Sequence, residues 1–133
     1  MRKRRILVVD DEAELTHLLK LNLEATGAYE VQEENDGHAA VETARRCRPE
    51  LIFLDIRMPG IGGGAIAAQL KMDQQLRSVP VVFLTGMVSS IEAGVHNDLL
   101  KAQVFLAKPA NPQQVIACIE RYLGPSASQG PAN

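Results

Sequence analysis

The sequence predicts an α/β fold, in which a doubly wound parallel sheet of five strands is covered by helices on both faces. Five short apolar runs alternate with helical patterns, and three of these runs are continuously apolar. A continuous apolar run is typical of a strand that is buried on both faces, as in a parallel sheet between two helical layers. The short loops between the runs favour right-handed crossovers within one domain.

The five predicted strands share one feature, since turn-forming or chemically active residues follow their carboxyl ends. They are Arg5–Asp10, Tyr29–Glu34, Leu51–Leu54, Val81–Leu84 and Val104–Ala107. In a doubly wound sheet, ligands bind beyond the carboxyl ends of the strands, where the strand order reverses. The residues that follow the strands are therefore the first candidates for a functional site.

One helical segment is predicted after each strand, at about Glu12–Thr26, Gly37–Arg46, Gly64–Gln75, Ser90–Lys101 and Asn111–Gly124. The last segment has the clearest start, because Asn111 suits an N-cap and Pro112 suits the first helical position. Gly27 ends the first helix, since glycine is common just beyond a helix terminus.

Length and composition indicate one domain with an ordinary core. We assign this domain to residues 1–124, and residues 125–133 to a flexible tail or the start of a linker. A net charge of -2 argues against a nucleic-acid or membrane surface, and no stretch approaches the roughly 18 apolar residues of a membrane span. Cys47 and Cys118 are isolated, which favours buried thiols in a reducing, cytoplasmic compartment.

Acidic side chains follow two of the predicted strands. Asp10 and Asp11 end the first strand, and Asp55 follows the third, before a Pro-Gly break. Close carboxylates repel one another unless a cation compensates, and magnesium (Mg2+) prefers such oxygen ligands. The sequence therefore predicts a magnesium site, to which the backbone carbonyl of Arg57 adds a further oxygen.

The same edge offers the parts of a phosphoryl-transfer site. Asp55 can act as a nucleophile toward a phosphoryl group, which gives an aspartyl phosphate. Thr85 and Lys108 follow the fourth and fifth strands, where a hydroxyl and an ammonium can bind phosphoryl oxygens. Each residue also has a structural interpretation: Asp11, for example, fits an N-cap of the first helix, with Glu14 completing a capping box.

These residues lie in four motifs that closely resemble the receiver domain of bacterial two-component response regulators, including the single-domain chemotaxis regulators. The motifs are Ile6–Glu12, Asp55–Gly60, Leu84–Gly86 and Phe105–Pro109, and the resemblance covers about residues 4–124. It implies a flavodoxin-like three-layer sandwich with strand order 2-1-3-4-5.

The resemblance also implies a role for each site residue. The chain would be a signalling phosphoacceptor that catalyses at most its own phosphorylation and dephosphorylation, with magnesium or manganese (Mn2+) as cofactor. The implied roles are phosphoacceptor for Asp55, metal ligand for Asp10 and Asp11, switch residue for Thr85 and Phe105, phosphate-binding lysine for Lys108, cis-proline for Pro109, and tuning of the phosphoryl lifetime for Arg57 and Met87.

The partners implied by the resemblance are other proteins. A sensor histidine kinase or histidine phosphotransfer protein would donate the phosphoryl group. A downstream protein or tethered output domain would then read the face formed by the fourth helix, the fifth strand and the fifth helix. No nucleic acid and no membrane is expected to bind this chain, which would be a monomer or a phosphorylation-dependent dimer.

Three other functions fit parts of the pattern. A degenerate receiver would bind partners without phosphorylation, although Asp11, Asp55 and Lys108 are all present. A haloacid-dehalogenase-type phosphatase needs a second Asp two residues after the nucleophile, where Arg57 stands. A flavodoxin-like flavin binder needs a phosphate-binding loop after the first strand, where acidic residues would repel phosphate.

Overall fold

The computed structural model describes residues 2–85, 104–107 and 111–125, with the backbone alone for residues 85 and 104–107. Five strands form one parallel sheet in the order β2-β1-β3-β4-β5, which confirms the predicted topology. The strands are β1 (Arg4–Val9), β2 (Tyr29–Glu34), β3 (Leu51–Asp55), β4 (Val81–Thr85) and β5 (Val104–Ala107).

Described helices follow β1, β2, β3 and β5 as predicted, although the third ends at Met72 rather than near Gln75. The described helices are α1 (Ala13–Ala25), α2 (Ala40–Cys47), α3 (Gly63–Met72) and a C-terminal helix (Pro112–Leu123). The segment predicted as one second helix begins instead as a 3-10 turn, Gly37–Ala39, before α2. The fourth predicted helix lies outside the described residues. Among the described helices, none is both long and apolar enough to cross a membrane.

The sheet separates two apolar layers, and β1 shows how. Ile6 and Val8 pack in a cluster with residues of α1 and the C-terminal helix. Leu7 and Val9 face the opposite way and pack with residues of α2 and α3. Successive side chains of a strand point to opposite faces, so a strand between two helical layers must be apolar at every position. This explains the continuous runs in the sequence.

Asp11 is not the N-cap of α1, so the structural interpretation of this residue is wrong. The N-cap is Glu12, and no side chain caps the helix there. Instead, the Oδ1 atom of Asp10 accepts a hydrogen bond from the backbone N–H of Glu12, at 2.9 Å. Asp11 is thus one residue too early for the cap, and its exposed carboxylate lies beside the end of β1. At the other end, Gly27 has a left-handed φ of 83°, as predicted for a helix stop.

The C-terminal helix begins as predicted, with a capping box. The Asn111 side chain accepts a hydrogen bond from the Gln114 backbone N–H at 2.8 Å, and the Gln114 side chain accepts one from the Asn111 backbone at 3.3 Å. Such a box satisfies two backbone donors that a helix end would otherwise leave open. Pro112 follows the cap, where its missing N–H costs no helical hydrogen bond.

The outer edge of the sheet is covered by two side chains of α1. The Lys20 ammonium donates to the Val31 carbonyl at 2.7 Å, and the Val31 N–H donates to the Glu24 carboxylate at 2.9 Å. Lys20 and Glu24 also form an ion pair at 3.2 Å. The hydrogen bond from Val31 lowers the pKa of Glu24, burial opposes this effect, and Lys20 lowers the pKa further.

Both cysteines are free, as the sequence predicts. Cys118 is buried in the C-terminal helix, and Cys47 is half-buried at the end of α2. Burial raises the pKa of both thiols. A raised pKa disfavours the nucleophilic thiolate, so these residues act as small apolar side chains.

Candidate functional site at the carboxyl edge of the sheet

Strand register brings the predicted acidic residues together. In the ladder between β1 and β3, Val9 pairs with Leu54, so Asp10 and Asp55 follow at the same height of neighbouring strands. The carboxylates of Asp10, Asp11 and Asp55 each offer an oxygen within 4.8 Å of the other two. Asp10 is 0% exposed and Asp55 is 4% exposed, whereas Asp11 is open to solvent. The cluster is therefore accessible from the side of Asp11.

Three hydrogen bonds hold Asp10 in place, two through its backbone and one through its carboxylate. Its N–H donates to the Glu34 carbonyl at 3.1 Å, which extends the ladder between β1 and β2. Its carbonyl accepts a hydrogen bond from the Asn35 side-chain amide at 2.7 Å, and its carboxylate accepts one from Glu12. These contacts fix the direction in which the Asp10 carboxylate leaves the strand.

Asn35 and Thr16 form a polar connection that the sequence analysis missed. The Asn35 amide also donates to the Thr16 hydroxyl at 3.0 Å. That hydroxyl lies within hydrogen-bonding distance of a Glu33 carboxylate oxygen, at 2.7 Å, and of the Ala13 carbonyl, at 3.1 Å. Thr16 is 0% exposed, so the connection supports the loop after β1 from within. In the sequence, the one sign of this connection is a threonine, Thr16, within the otherwise apolar stripe of the first helix.

The loop after Asp55 depends on a close approach of two backbone segments. The Gly63 N–H donates to the Ile56 carbonyl at 2.7 Å. A Cβ atom on Gly63 would lie 2.2 Å from the Asp55 carbonyl oxygen and 2.9 Å from the Ile56 Cα atom. Real Cβ atoms do not approach backbone atoms so closely, and hence only glycine fits at the start of α3. Sequence reasoning did not single out this residue, although a run of three glycines marks the place.

A second glycine shapes the same loop farther from Asp55. Gly60 has a left-handed φ of 84°, and a Cβ atom there would lie 2.6 Å from the His38 ring. Next to it, Ile61 packs near Gly37 of the 3-10 turn, where an added Cβ would approach the Ile61 side chain to 2.8 Å. The loop from Ile56 to Gly62 therefore rests on the turn that precedes α2.

The other predicted site residues are described in part or not at all. The backbone of Thr85 ends β4, one position beyond the pair of Asp55 with Leu84, and Phe105 pairs with Phe83 in β5. Arg57 is exposed, two residues after Asp55. Three predicted residues lie outside the described residues, namely Met87, Lys108 and Pro109.

The donor set fits a hard divalent cation. Three carboxylates converge, and carboxylate oxygens are the ligands that magnesium and manganese prefer. Two of these carboxylates are buried, and bringing such groups together costs free energy that a bound cation offsets. The open side at Asp11 leaves room for water or a phosphoryl oxygen to complete the coordination.

Comparison with known proteins identifies related sequences. A family model described as "Response regulator receiver domain" matches residues 6–120. The transcriptional regulatory protein PhoP of Bacillus subtilis is 33% identical over 130 residues, which cover 98% of this chain and 52% of the relative. The transcriptional regulator RpaA of Synechocystis sp. is 30% identical over 119 residues, covering 90% of this chain and 48% of the relative. The chain thus spans about half the length of these curated relatives.

Solved structures of similar fold cover nearly the whole chain. The chemotaxis protein CheY4 of Vibrio cholerae superposes with a TM-score of 0.80 and 27% identity, over 92% of this chain and 100% of that one. The receiver domain of the sensor histidine kinase PA1611 of Pseudomonas aeruginosa has a TM-score of 0.79 and 26% identity, over 93% of this chain and 100% of that one. The latter structure contains a magnesium ion coordinated in its active-site cleft.

Proposed function

The chain belongs to the response regulator receiver domain family, and on this premise we propose that it accepts a phosphoryl group on Asp55. The donor is a phosphohistidine of a partner sensor kinase or histidine phosphotransfer protein. The observation that carries the proposal is the convergence of three carboxylates within 4.8 Å at the carboxyl edge of the sheet.

Asp55 is the nucleophile in this proposal. One of its carboxylate oxygens attacks phosphorus, and a new O–P bond forms while the P–N bond to the donor imidazole breaks. The imidazole nitrogen keeps the electron pair of the broken bond. Support comes from the position of Asp55 at the end of β3, where pairing with β4 and the hydrogen bond from the Gly63 N–H to the Ile56 carbonyl hold the backbone in place. Such positioning supplies much of the catalysis in phosphoryl transfer.

Asp10 and Asp11 are the proposed metal ligands, together with Asp55 and the backbone carbonyl of Arg57. A magnesium or manganese ion held by these residues would neutralise charge on the transferring oxygens. Asp10 is suited to this role because Asn35 and Glu12 fix its backbone and carboxylate. Asp11 is exposed, so a metal ion bound at this site can exchange with solvent on that side.

Thr85 and Lys108 are proposed to bind the phosphoryl oxygens after transfer, the first through its hydroxyl and the second through its ammonium. Phe105 is proposed to move inward once Thr85 has moved, and Pro109 to follow Lys108 as a cis-proline. Support for Thr85 is its backbone position on the strand next to Asp55. The phosphoryl group shifts the populations of two states only by its different interaction with each.

Two further parts of the proposal concern the duration and the reading of the signal. Arg57 and Met87 would tune the lifetime of the aspartyl phosphate from the loops after β3 and β4. A downstream protein or a tethered output domain would read the changed face, and phosphorylation could also produce a dimer. The relatives named above are about twice as long as this chain, which is consistent with a separate output domain in those proteins.

Intact mass spectrometry tests the proposed chemistry. The protein is incubated with acetyl phosphate and magnesium, and a mass increase of one phosphoryl group is expected. Asp55→Asn should abolish the increase, and so should EDTA. The matched control is Asp36→Asn. Asp36 is an exposed carboxylate beyond the carboxyl end of β2, at the same edge of the sheet, and Asn can still accept the hydrogen bond from the His38 N–H.

The opposite result has a definite meaning. If neither a mass increase nor binding of beryllofluoride occurs in the folded wild-type protein, the phosphoacceptor proposal is wrong. The chain would then be a degenerate receiver that binds partners without phosphorylation.

A further inference from the structure

A cleft lies at the opposite end of the sheet, where the strands begin. Its volume is about 440 Å³, and three arginines line it: Arg5, Arg45 and Arg48. Pro49, Leu76 and Val79 supply an apolar wall. The volume is within the range of small-molecule sites, which combine apolar walls with a few polar groups that fix orientation.

The charge of this arginine cleft is only partly offset. Arg45 is paired with Asp73, at 2.6 Å. The Nε atom of Arg5 donates to the Arg48 carbonyl at 2.8 Å, a neutral acceptor that leaves the Arg5 charge in place. Across the ranges 2–85 and 111–125, the Arg48 side chain forms no hydrogen bond or ion pair. The cleft therefore keeps two arginine charges without an acidic partner in the described structure.

The backbone of Arg48 is in an unfavourable conformation. Its φ of 51° and ψ of 63° are left-handed, and it is the one non-glycine residue with positive φ in the described parts of the chain. Glycine or asparagine is the usual residue at this position after a helix, because a Cβ atom raises the conformational energy. Because unfavourable backbone conformations are often found at functional sites, the left-handed backbone of Arg48 in the wall of this cleft points to a role for its side chain.

From these observations we propose that the arginine cleft binds a small organic phosphate of the nucleoside monophosphate class. The guanidinium groups of Arg5 and Arg48 match the oxygens of a phosphate, to which arginine can donate two parallel hydrogen bonds. The apolar wall packs against the organic part. The cleft is separate from the acidic cluster, because the five residue steps from Arg5 to Asp10 along the strand direction span roughly 16 Å.

A titration with adenosine monophosphate tests the proposal. The full chain, labelled with ¹⁵N and kept in EDTA so that no metal joins the acidic cluster to the nucleotide, is followed by amide NMR. We expect saturable shifts at Arg48, Val79 and Gln75, which also lines the cleft, and none at Asp10 or Asp55. Inorganic phosphate alone should bind more weakly, because it makes no contact with the apolar wall.

Two variants separate the cleft from general electrostatic attraction. Arg48→Gly removes the guanidinium and at the same time relieves the left-handed backbone, so the fold should be retained. We expect it to weaken binding at least about tenfold, because the loss of even one charge-assisted hydrogen bond has about this effect. Arg46→Ala is the matched control, because it removes the same charge from an exposed residue of α2 outside the cleft.

Several results would overturn the proposal. They are the absence of saturable binding, equal weakening by Arg48→Gly and Arg46→Ala, and inorganic phosphate binding as tightly as adenosine monophosphate. Saturable binding of an acidic peptide that Arg48→Gly abolishes, without binding of the nucleotide, would assign the cleft to a protein partner instead.

Discussion

The two ends of the sheet carry opposite charges, and β1 connects them. Beyond its carboxyl end lie Asp10 and Asp11, close to Asp55. At its amino end Arg5 lines a cleft with Arg45 and Arg48. The chain has 14 basic and 16 acidic residues and a net charge of only -2, so the overall charge conceals this separation.

The two ends also hold their charged groups differently. At the acidic end, Asp10 and Asp55 are buried and the backbone around them is fixed by hydrogen bonds. At the arginine end, Arg45 and Arg48 are exposed, and the Arg45 side chain is 55% accessible where it pairs with Asp73. The comparison teaches that substitutions should affect stability strongly at the acidic end and weakly at the arginine end.

The largest expected effect comes from Gly63→Ala at the acidic end. The new Cβ atom would meet the Asp55 carbonyl oxygen at 2.2 Å, and the backbone must move to admit it. We expect a loss of about 3 kcal/mol in the free energy of unfolding, as for overpacked interiors, measured by urea denaturation. Gly62→Ala is the control, because its Cβ atom would make an ordinary contact with the Ile56 carbonyl at 3.4 Å. Equal losses in both variants would contradict the close-approach argument.

A smaller effect is expected from Asn35→Ala. This change removes the hydrogen bonds to the Asp10 carbonyl and the Thr16 hydroxyl, and should reduce the free energy of unfolding by about 1 kcal/mol. Magnesium affinity, measured by calorimetry, should also fall because the Asp10 carboxylate is less well oriented. The control is Gln32→Ala, which removes an exposed amide that donates to the Glu33 carbonyl. Unchanged magnesium affinity in Asn35→Ala would show that Asn35 does not help to orient the Asp10 carboxylate.

The smallest effect is expected from Asp73→Asn at the arginine end. Burial acts to raise the pKa of Asp73, but hydrogen bonds from Arg45 and from the Gln75 N–H, with the Arg45 charge, lower it below the ordinary 3.8. A lowered pKa in the folded state means that the ionised group adds stability above 3.8, which is lost as the pH falls through the folded value.

The melting temperatures of the wild type and Asp73→Asn should therefore differ slightly at neutral pH and converge in acid. The variant also removes the partner of Arg45, so nucleotide binding in the arginine cleft should tighten. Asn can still accept the hydrogen bond from Gln75, which keeps the turn intact. A melting-temperature difference that grows as the pH falls would contradict the assigned direction of the pKa shift.

Much of the fold was predictable because its signals are local. The run Leu51–Leu54 predicts a strand buried on both faces, and every residue of β3 is buried. Asn111 and Pro112 predict a helix start that the structure contains. The acidic cluster was also predictable, since parallel strands end at a common edge and the residues after them meet there.

The remaining features depend on contacts between distant parts of the chain. Asn35 reaches the Asp10 carbonyl from 25 residues away, and no local pattern indicates that contact. The need for glycine at position 63 comes from the path of the backbone around Asp55. The sequence gives no sign of the role of Arg48, because its left-handed backbone and the cleft beside it exist only in the folded chain.

The contacts of Lys20 and Glu24 with Val31 affect how this molecule can associate with others. The strand β2 is at the edge of the sheet, and an edge strand can recruit a strand from another chain through its outward N–H and C=O groups. At Val31 both groups are already bonded to α1, so an incoming strand would first have to displace two side chains. Because the pKa of Glu24 lies below the ordinary 4.5, the carboxylate part of this barrier to intermolecular strand pairing persists as the pH falls toward that value.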